Sequence, residues 1–409
     1  MAGVVSFAEA LALVEEHARH LGAPAAETVE LLLGRERVLA EDIRADRDQP
    51  PFDRATRDGF AVRAAEWSAG GRLRVAGQVR AGEVWSGGEV EPGCAVEIMT
   101  GAPVPPGVDA VAMVEHAVVS GGAVQAVPGR RLAFGENSVA RGSEARRGEV
   151  VVRAGTEMGA AEIAQAATCG WGKLRVRRRP RVAIAATGDE LVGLGEMPAE
   201  HQIRNSNGFA LAALVEAAGG VPRMLAVARD TREDVRARIA EARGSDLVVL
   251  SGGVSAGRYD LVEEVLAEAG AEFFFTGVRL QPGRPTVFGR IPAGESHAAC
   301  FFFGLPGNPI STQVTFHCFA EPFLRRLGGA AWAGPRFVQG TLAEAVPGKA
   351  GLTRVLPARL TSGFERTDVR LVGWQGSGDL ASNARANCYA VIPDGAELKA
   401  GEGITVLLR

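Results

Sequence analysis

Apolar and polar positions change rhythm along the chain, and each change marks a predicted unit. Phe7, Leu11, Val14, Ala18 and Leu21 recur at spacings of four and three, and Ser6 with Glu9 supplies a capping box, so an amphipathic helix is expected at the start. From about Pro50 to Ser138 the apolar segments shorten and are broken by Gly and Pro, as in VAGQVRAGEVWSGGEVEPG, which predicts a small β-rich unit. Residues 139–172 return to a mixed texture.

From 181 to 327 the alternation becomes regular. RVAIAAT, PRMLAVA, DLVVL, AEFFFTGVRL and CFFFGL read as strands. GFALAALVEAAGG (introduced by Asn207), TREDVRARIAEARG, DLVEEVLAEAG and PISTQVTFHCFAEPFLRRL read as helices. Strands and helices of this length in turn predict a doubly wound, mostly parallel sheet covered by helices. The segment 329–409 carries VRLVGW, CYAVIP and GITVLLR between Gly-rich turns and reads as a separate small β domain.

Composition narrows the function classes. The 409-residue chain is long enough for several cores, and its formal net charge of −3 recruits neither nucleic acid nor an anionic membrane. No apolar run reaches the ~20 residues of a membrane-spanning helix, and Glu9, Glu15 and Glu16 are unlike a signal peptide. A soluble, cytoplasmic protein is expected. The five cysteines are scattered and never form C-x-x-C, so free buried thiols are expected in place of disulfides or thiolate zinc. His17 and His20 lie three apart with no third ligand, which favours a solvated helix face over a metal. RVRRRPR puts five arginines into residues 175–181 without aromatic neighbours, and reads as a solvated connector in preference to a nucleic-acid patch.

In an open parallel sheet, ligands bind beyond the carboxyl ends of the strands. After successive strands this sequence places Thr187-Gly188-Asp189-Glu190, then Arg229-Asp230, then Ser251-Gly252-Gly253-Val254-Ser255 with Asp260 behind it. The Phe-rich segments lead to Gln281-Pro-Gly-Arg284 and to Pro306-Gly307-Asn308. Gly-rich turns let backbone N–H groups approach a phosphate, and carboxylates without His or Cys suit Mg²⁺. Each piece also has an ordinary reading: a Ser-Gly-Gly turn connects strand to helix, and Asp189, Asp230 and Asp260 cap helices. In the β-rich unit, Asp58-Gly59 is a turn dipeptide and Thr100 a strand end.

These segments together resemble the MoeA family of molybdopterin molybdenumtransferases, which includes the gephyrin E domain. PPFDRATRDGFAV, IMTGAPVPPGVDAVAMVE, ATGDEL, IRNSNGFAL, SGGVSAGRYD, QPGRP and LPGNPIS match in order over nearly the whole chain. The resemblance implies a homodimer of four-domain chains: a discontinuous mixed α/β dimerisation domain (1–49 and 139–178), a β-rich domain (50–138) completing the partner's active site, an α/β molybdopterin-binding domain (179–328) and a C-terminal β-barrel-like domain (329–409). It implies Mg²⁺-dependent insertion of molybdenum from molybdate into adenylylated molybdopterin, with release of AMP. A molybdopterin adenylyltransferase upstream and molybdenum-cofactor proteins downstream are the implied partners.

Matched position by position, Asp58, Thr100, Glu190, Asp230 and Asp260 are the implied catalytic residues, with Glu190, Asp230 and Asp260 as metal ligands. Gly188, Asp189, Gly252, Gly253, Ser255, Arg284, Pro306, Gly307 and Asn308 match ligand-binding turns. The chain departs from the family pattern at Arg57 (usually Met), Glu144 (usually Asp) and Gln281 (usually Lys). A tungsten-inserting variant, an adenylyltransferase and a scaffold of the gephyrin type are the alternative expectations.

Overall fold

The strand Leu247–Ser251 is buried at every position and lies inside a six-stranded sheet. In this computed structural model, which describes residues 3–253, 261–295, 297–330 and 334–409, that sheet is mostly parallel. Val221–Met224, Arg181–Ala186, Leu247–Ser251 and Cys300–Leu305 run side by side in parallel. Val287–Ile291 and Glu272–Phe275 then add an antiparallel edge.

Because side chains alternate across a strand, each strand feeds two cores. Val182, Ile184, Val249 and Phe303 point to one face, covered by Leu211 and Val215 of the helix Ser206–Ala217 and by Phe7, Ala10 and Val14 of the helix Phe7–Arg19. Ala183, Ala185, Val248 and Leu250 point to the other, covered by Val235 and Ile239 of the helix Arg232–Ala242 and by Val262 and Val265 of the helix Leu261–Glu268. The doubly wound α/β architecture expected from the alternating pattern is the one observed.

The remaining residues form smaller units with their own cores. A six-stranded sheet built around Gly59–Val62 and Cys94–Ile98 buries Ala61, Val96 and Ile98 on one side and Phe60, Ala95 and Trp67 on the other. Short paired strands, Ala26–Glu30 with Lys173–Arg177 and Ile43–Arg44 with Val150–Val152, pack around Leu39, Ile43, Met158 and Val176. In the C-terminal unit, Thr353–Ser362 pairs with both Thr367–Leu371 and Cys388–Ile392. The sheet therefore closes on itself through Phe337–Leu342 and Gly403–Leu408.

Several sequence expectations are corrected. AEFFFTGVRL is not one strand: the chain leaves the α/β sheet at Thr276, whose N–H donates to Gly3 O at 3.3 Å. Gly277–Gln281 then joins Val4–Ser6 and Thr353–Ser362 in the barrel-like sheet. The strand expected over PRMLAVA (222–228) is instead Val221–Met224, starting one residue earlier and ending after its third residue. The helix expected over PISTQVTFHCFAEPFLRRL is interrupted by a π turn at Phe316–Ala320, because Pro322 has no N–H for the carbonyl four residues earlier. Asn205, not Asn207, caps the helix Ser206–Ala217, its Oδ1 accepting from Gly208 N at 2.9 Å.

His17 is no solvated face. It stacks on Phe274 at 3.6 Å between ring centroids, and burial lowers its pKa. All five cysteines are free and buried, and burial pushes the Cys300 and Cys388 thiols up to about 11.

Candidate functional site

The turns that follow the parallel strands enclose a cleft of about 1090 Å³. Its floor is made by backbone. Gly252 adopts φ 88°, and a Cβ there would lie 2.6 Å from the Thr187 carbonyl oxygen. Gly253 adopts φ 65°, and its Cβ would lie 2.6 Å from Val262 Cγ2. The left-handed backbone and the lack of space each require glycine. The turn after the neighbouring strand packs directly against this one, since a Cβ at Gly307 would approach Gly252 Cα at 3.4 Å.

One side chain ties the two turns together. Asn207 Nδ2 donates to Gly307 O at 2.7 Å and to Ser251 Oγ at 3.0 Å. Below Pro306, Thr312 Oγ1 donates to its carbonyl at 2.5 Å. Thr187 Oγ1 is buried beside both glycines and has no hydrogen-bond partner among the described residues. A buried hydroxyl without a partner is unusual, and here it faces a cradle of backbone in a cleft with room for a ligand.

The acidic wall comes from the first two strands. Glu190 and Asp230 both line the cleft, and Asp230 N donates to Asp189 Oδ1 at 3.2 Å. Burial raises the Asp230 pKa above the usual aspartate value, and the nearby Asp189 and Glu190 charges push the same way, against the hydrogen bond that the Asp189 backbone gives to the Asp230 carboxyl. Carboxylates held close against their own repulsion are the donor set a hard divalent cation takes. No group of three or more His, Cys, Asp or Glu side chains is already arranged to hold a metal among the described residues.

Of the residues picked out in the sequence, Gly188, Glu190, Asp230, Gly252, Gly253, Pro306, Gly307 and Asn308 all line this cleft. Asp189 stands just behind it. Arg284 is exposed and not part of the lining, whereas its neighbour Pro285 is. Ser255 and Asp260 fall outside the described residues. Asp58 and Thr100 form a separate exposed pair: Thr100 N and Oγ1 donate to Asp58 Oδ1 at 2.6 and 2.7 Å. These bonds hold the Asp58 carboxyl below its ordinary pKa. The pair does not line the cleft of its own chain. Gly59 fixes its position, because a Cβ there would fall 1.9 Å from the Ala112 carbonyl oxygen.

The sequence held no sign of the C-terminal contribution. Gly378 and Leu380 line the cleft, and Ser377 O accepts from Ile310 N at 2.9 Å. Nor did it give Thr187 or Asn207 a role at the site. The order Asn205-Ser206-Asn207 opening a helix was the available signal, and only the cap could be read from it.

A parallel sheet with two interlocked glycine turns, a backbone-lined cleft and an acidic wall places the chain among doubly wound α/β proteins, whose ligands are bound at this edge of the sheet. Comparison with known proteins gives the family. Residues 5–170 match the MoeA N-terminal region (domains I and II), residues 183–326 a "probable molybdopterin binding domain", and residues 339–408 the MoeA C-terminal region (domain IV). A Staphylococcus aureus protein named molybdopterin molybdenumtransferase is 33% identical over 93% of this chain and 90% of its own length. A Nostoc protein of the same name is 33% identical over 93% and 88%. The crystal structure of a molybdopterin biosynthesis MoeA protein from Pyrococcus horikoshii superposes with a TM-score of 0.78 at 29% identity, over 99% of this chain and 100% of that one. The chain belongs to the MoeA family.

Proposed function

We propose that this protein is the molybdenum insertase of molybdenum-cofactor biosynthesis, a transferase that takes adenylylated molybdopterin and molybdate and releases AMP. The observation that carries the reading is the pair of interlocked turns, Gly252-Gly253 and Pro306-Gly307, with the partnerless Thr187 hydroxyl between strand and cradle. Backbone N–H groups of the turns would hold the phosphates of the pterin, and Thr187 Oγ1 would donate to a phosphate oxygen. Asn207 would keep the two turns at a fixed spacing. Arg284, exposed at the edge of the same turn as Pro285, would meet an oxyanion arriving from solvent.

The acidic wall fits Mg²⁺: Glu190 and Asp230, with Asp260, would hold it. The cation would neutralise the phosphate charge that those carboxylates otherwise repel. Asp58 and Thr100 would serve the cleft of the other subunit in a homodimer. Thr100 donates both of its bonds to a single carboxylate oxygen and so leaves the second oxygen of Asp58 for substrate.

The test is incubation of the purified protein with adenylylated molybdopterin and molybdate, with and without Mg²⁺. AMP release and formation of molybdenum cofactor, both requiring the metal, are expected. Consumption of ATP in place of the preformed adenylate would instead assign the adenylyltransferase step. Tungstate as a competitor in the same assay separates the tungsten variant.

A further inference from the structure

A second cavity, of about 60 Å³, lies at the amino ends of the parallel strands, on the opposite edge of the sheet from the cleft. Its walls come from the mixed unit (Glu36, Arg37, Glu157), from the connector Arg177–Pro180, and from the ends of two α/β helices (Ala218, Arg325). Five arginines line it: Arg37, Arg177, Arg178, Arg179 and Arg325. We propose that this cavity is a binding site for a small tetrahedral oxyanion of the phosphate or sulfate kind, which bridges the two units.

The argument is one of unmet hydrogen bonds and unmet charge. Arg37 is 8% exposed, yet among the described residues its Nε is buried with no partner. Arg179 Nε is also buried with no partner among them. Three of the guanidiniums already have carboxylates: Arg37 has Glu27, Arg178 has Asp246 and Arg325 has Glu157. Among the described residues the Arg177 side chain donates only to the Pro24 carbonyl, at 3.2 Å, and Arg179 has no acidic partner. Glu36 is taken by Arg35, so Glu216 alone of the lining acids is left to oppose two cations.

Arginines near helix C-termini ordinarily answer the exposed carbonyls. Arg326 donates instead to Ala330 O, past the end of the helix Glu321–Leu327, at 3.3 Å. No helix-end carbonyl among the described residues accepts from Arg179, so that role does not account for it. A lining arginine without a partner points to a water or an ion, and two cations opposed by a single carboxylate favour the ion. The size agrees: one water needs roughly 10–15 Å³, and the cavity has room for four oxygens. The planar fork of a guanidinium matches an oxyanion edge.

Titration calorimetry of the full-length protein with inorganic phosphate and with sulfate, at constant ionic strength set by chloride, tests this. Saturable binding is expected, weakened at least tenfold in Arg179→Gln and tightened in Glu216→Gln. Arg179→Lys, which keeps the charge without the fork, is expected to bind more weakly than the wild type and better than Arg179→Gln. It also serves if Arg179→Gln does not fold. Binding of phosphate alone would assign the site to phosphate, and binding of both anions to the shared tetrahedral geometry. Absence of saturable binding beyond the chloride control, or binding unchanged in both Arg179 variants, would overturn the proposal. Undiminished binding in those variants would locate the anion elsewhere, including the cleft.

Discussion

The two ends of one parallel sheet face the same problem with opposite charges. At the carboxyl ends, helices begin and side-chain carboxylates gather, with Asp230 preceding the Thr231 cap of the helix Arg232–Ala242. At the amino ends, helices finish and arginines gather around Ala218 and Gly328. Both arrangements follow the helix dipole, which favours acids at its start and bases at its finish. The consequence for ligands differs. An anion entering the carboxyl-end cleft would meet glycine N–H groups and also a wall of acids, which the proposed cation would offset. An anion entering the amino-end cavity would meet arginines with no such wall.

The strongest way to break this comparison is to fill the cradle. Gly252→Ala puts a methyl 2.6 Å from the Thr187 carbonyl, and displacement of the turn by about an ångström is expected to cost ~100-fold or more in turnover. Circular dichroism should still report a folded protein. Undiminished turnover in this variant would remove the turn from the site. Next is Asn207→Ala, which removes two hydrogen bonds between the turns. A stability loss of about 1–2 kcal/mol is expected in urea unfolding, together with a raised KM for the pterin substrate.

Asp230 sharpens the electrostatic side. Its raised pKa means that the native state holds the proton more tightly than the unfolded chain does. Asp230 therefore contributes stability below its unfolded pKa and loses that contribution as pH rises through the folded value. Asp230→Asn should accordingly be neutral or stabilising at pH 7 while activity falls. A cation on the carboxylates favours the deprotonated form, so Mg²⁺ addition should release protons and move the acid limb of the activity profile to lower pH. An acid limb that does not respond to Mg²⁺ would separate Asp230 from the metal.

The smallest effect is expected at the other end of the sheet. Gly219 has φ 83° with open space around its Cβ position. Gly219→Ala should cost about 1–2 kcal/mol from left-handed backbone alone and leave turnover intact. Equal loss of activity in Gly219→Ala and Gly252→Ala would show that turn geometry in general, and not the cradle, limits the reaction.

Much of this was legible in the residues. Local pattern is enough where the physics is local: buried runs such as LVVL, the Ser6–Glu9 box, and glycines that a turn obliges to take positive φ. The ordering of strands with their trailing loops then placed Glu190, Asp230, Gly252 and Gly307 at one edge, because parallel strands share a direction. What failed was non-local. AEFFFTGVRL reads as one strand, yet the second half finds its partners in residues 4–6 and in the C-terminal barrel. His17 shows a polar residue's face, but Phe274 from a distant strand covers it.

The sequence by itself therefore determined the element types, the glycine turns and the family to which they belong, since these depend on neighbours a few residues apart. Only the tertiary structure decided which core the opening helix joins, that residues 377–380 close one side of the cleft, and that Asp58 and Thr100 stand away from it in their own chain. It also decided that Arg177, Arg178 and Arg179, from a run that reads as solvated, line a cavity against the mixed unit while Arg175 and Arg181 stay exposed. Those outcomes rest on contacts between segments tens to hundreds of residues apart, and such contacts leave no period or spacing in the chain.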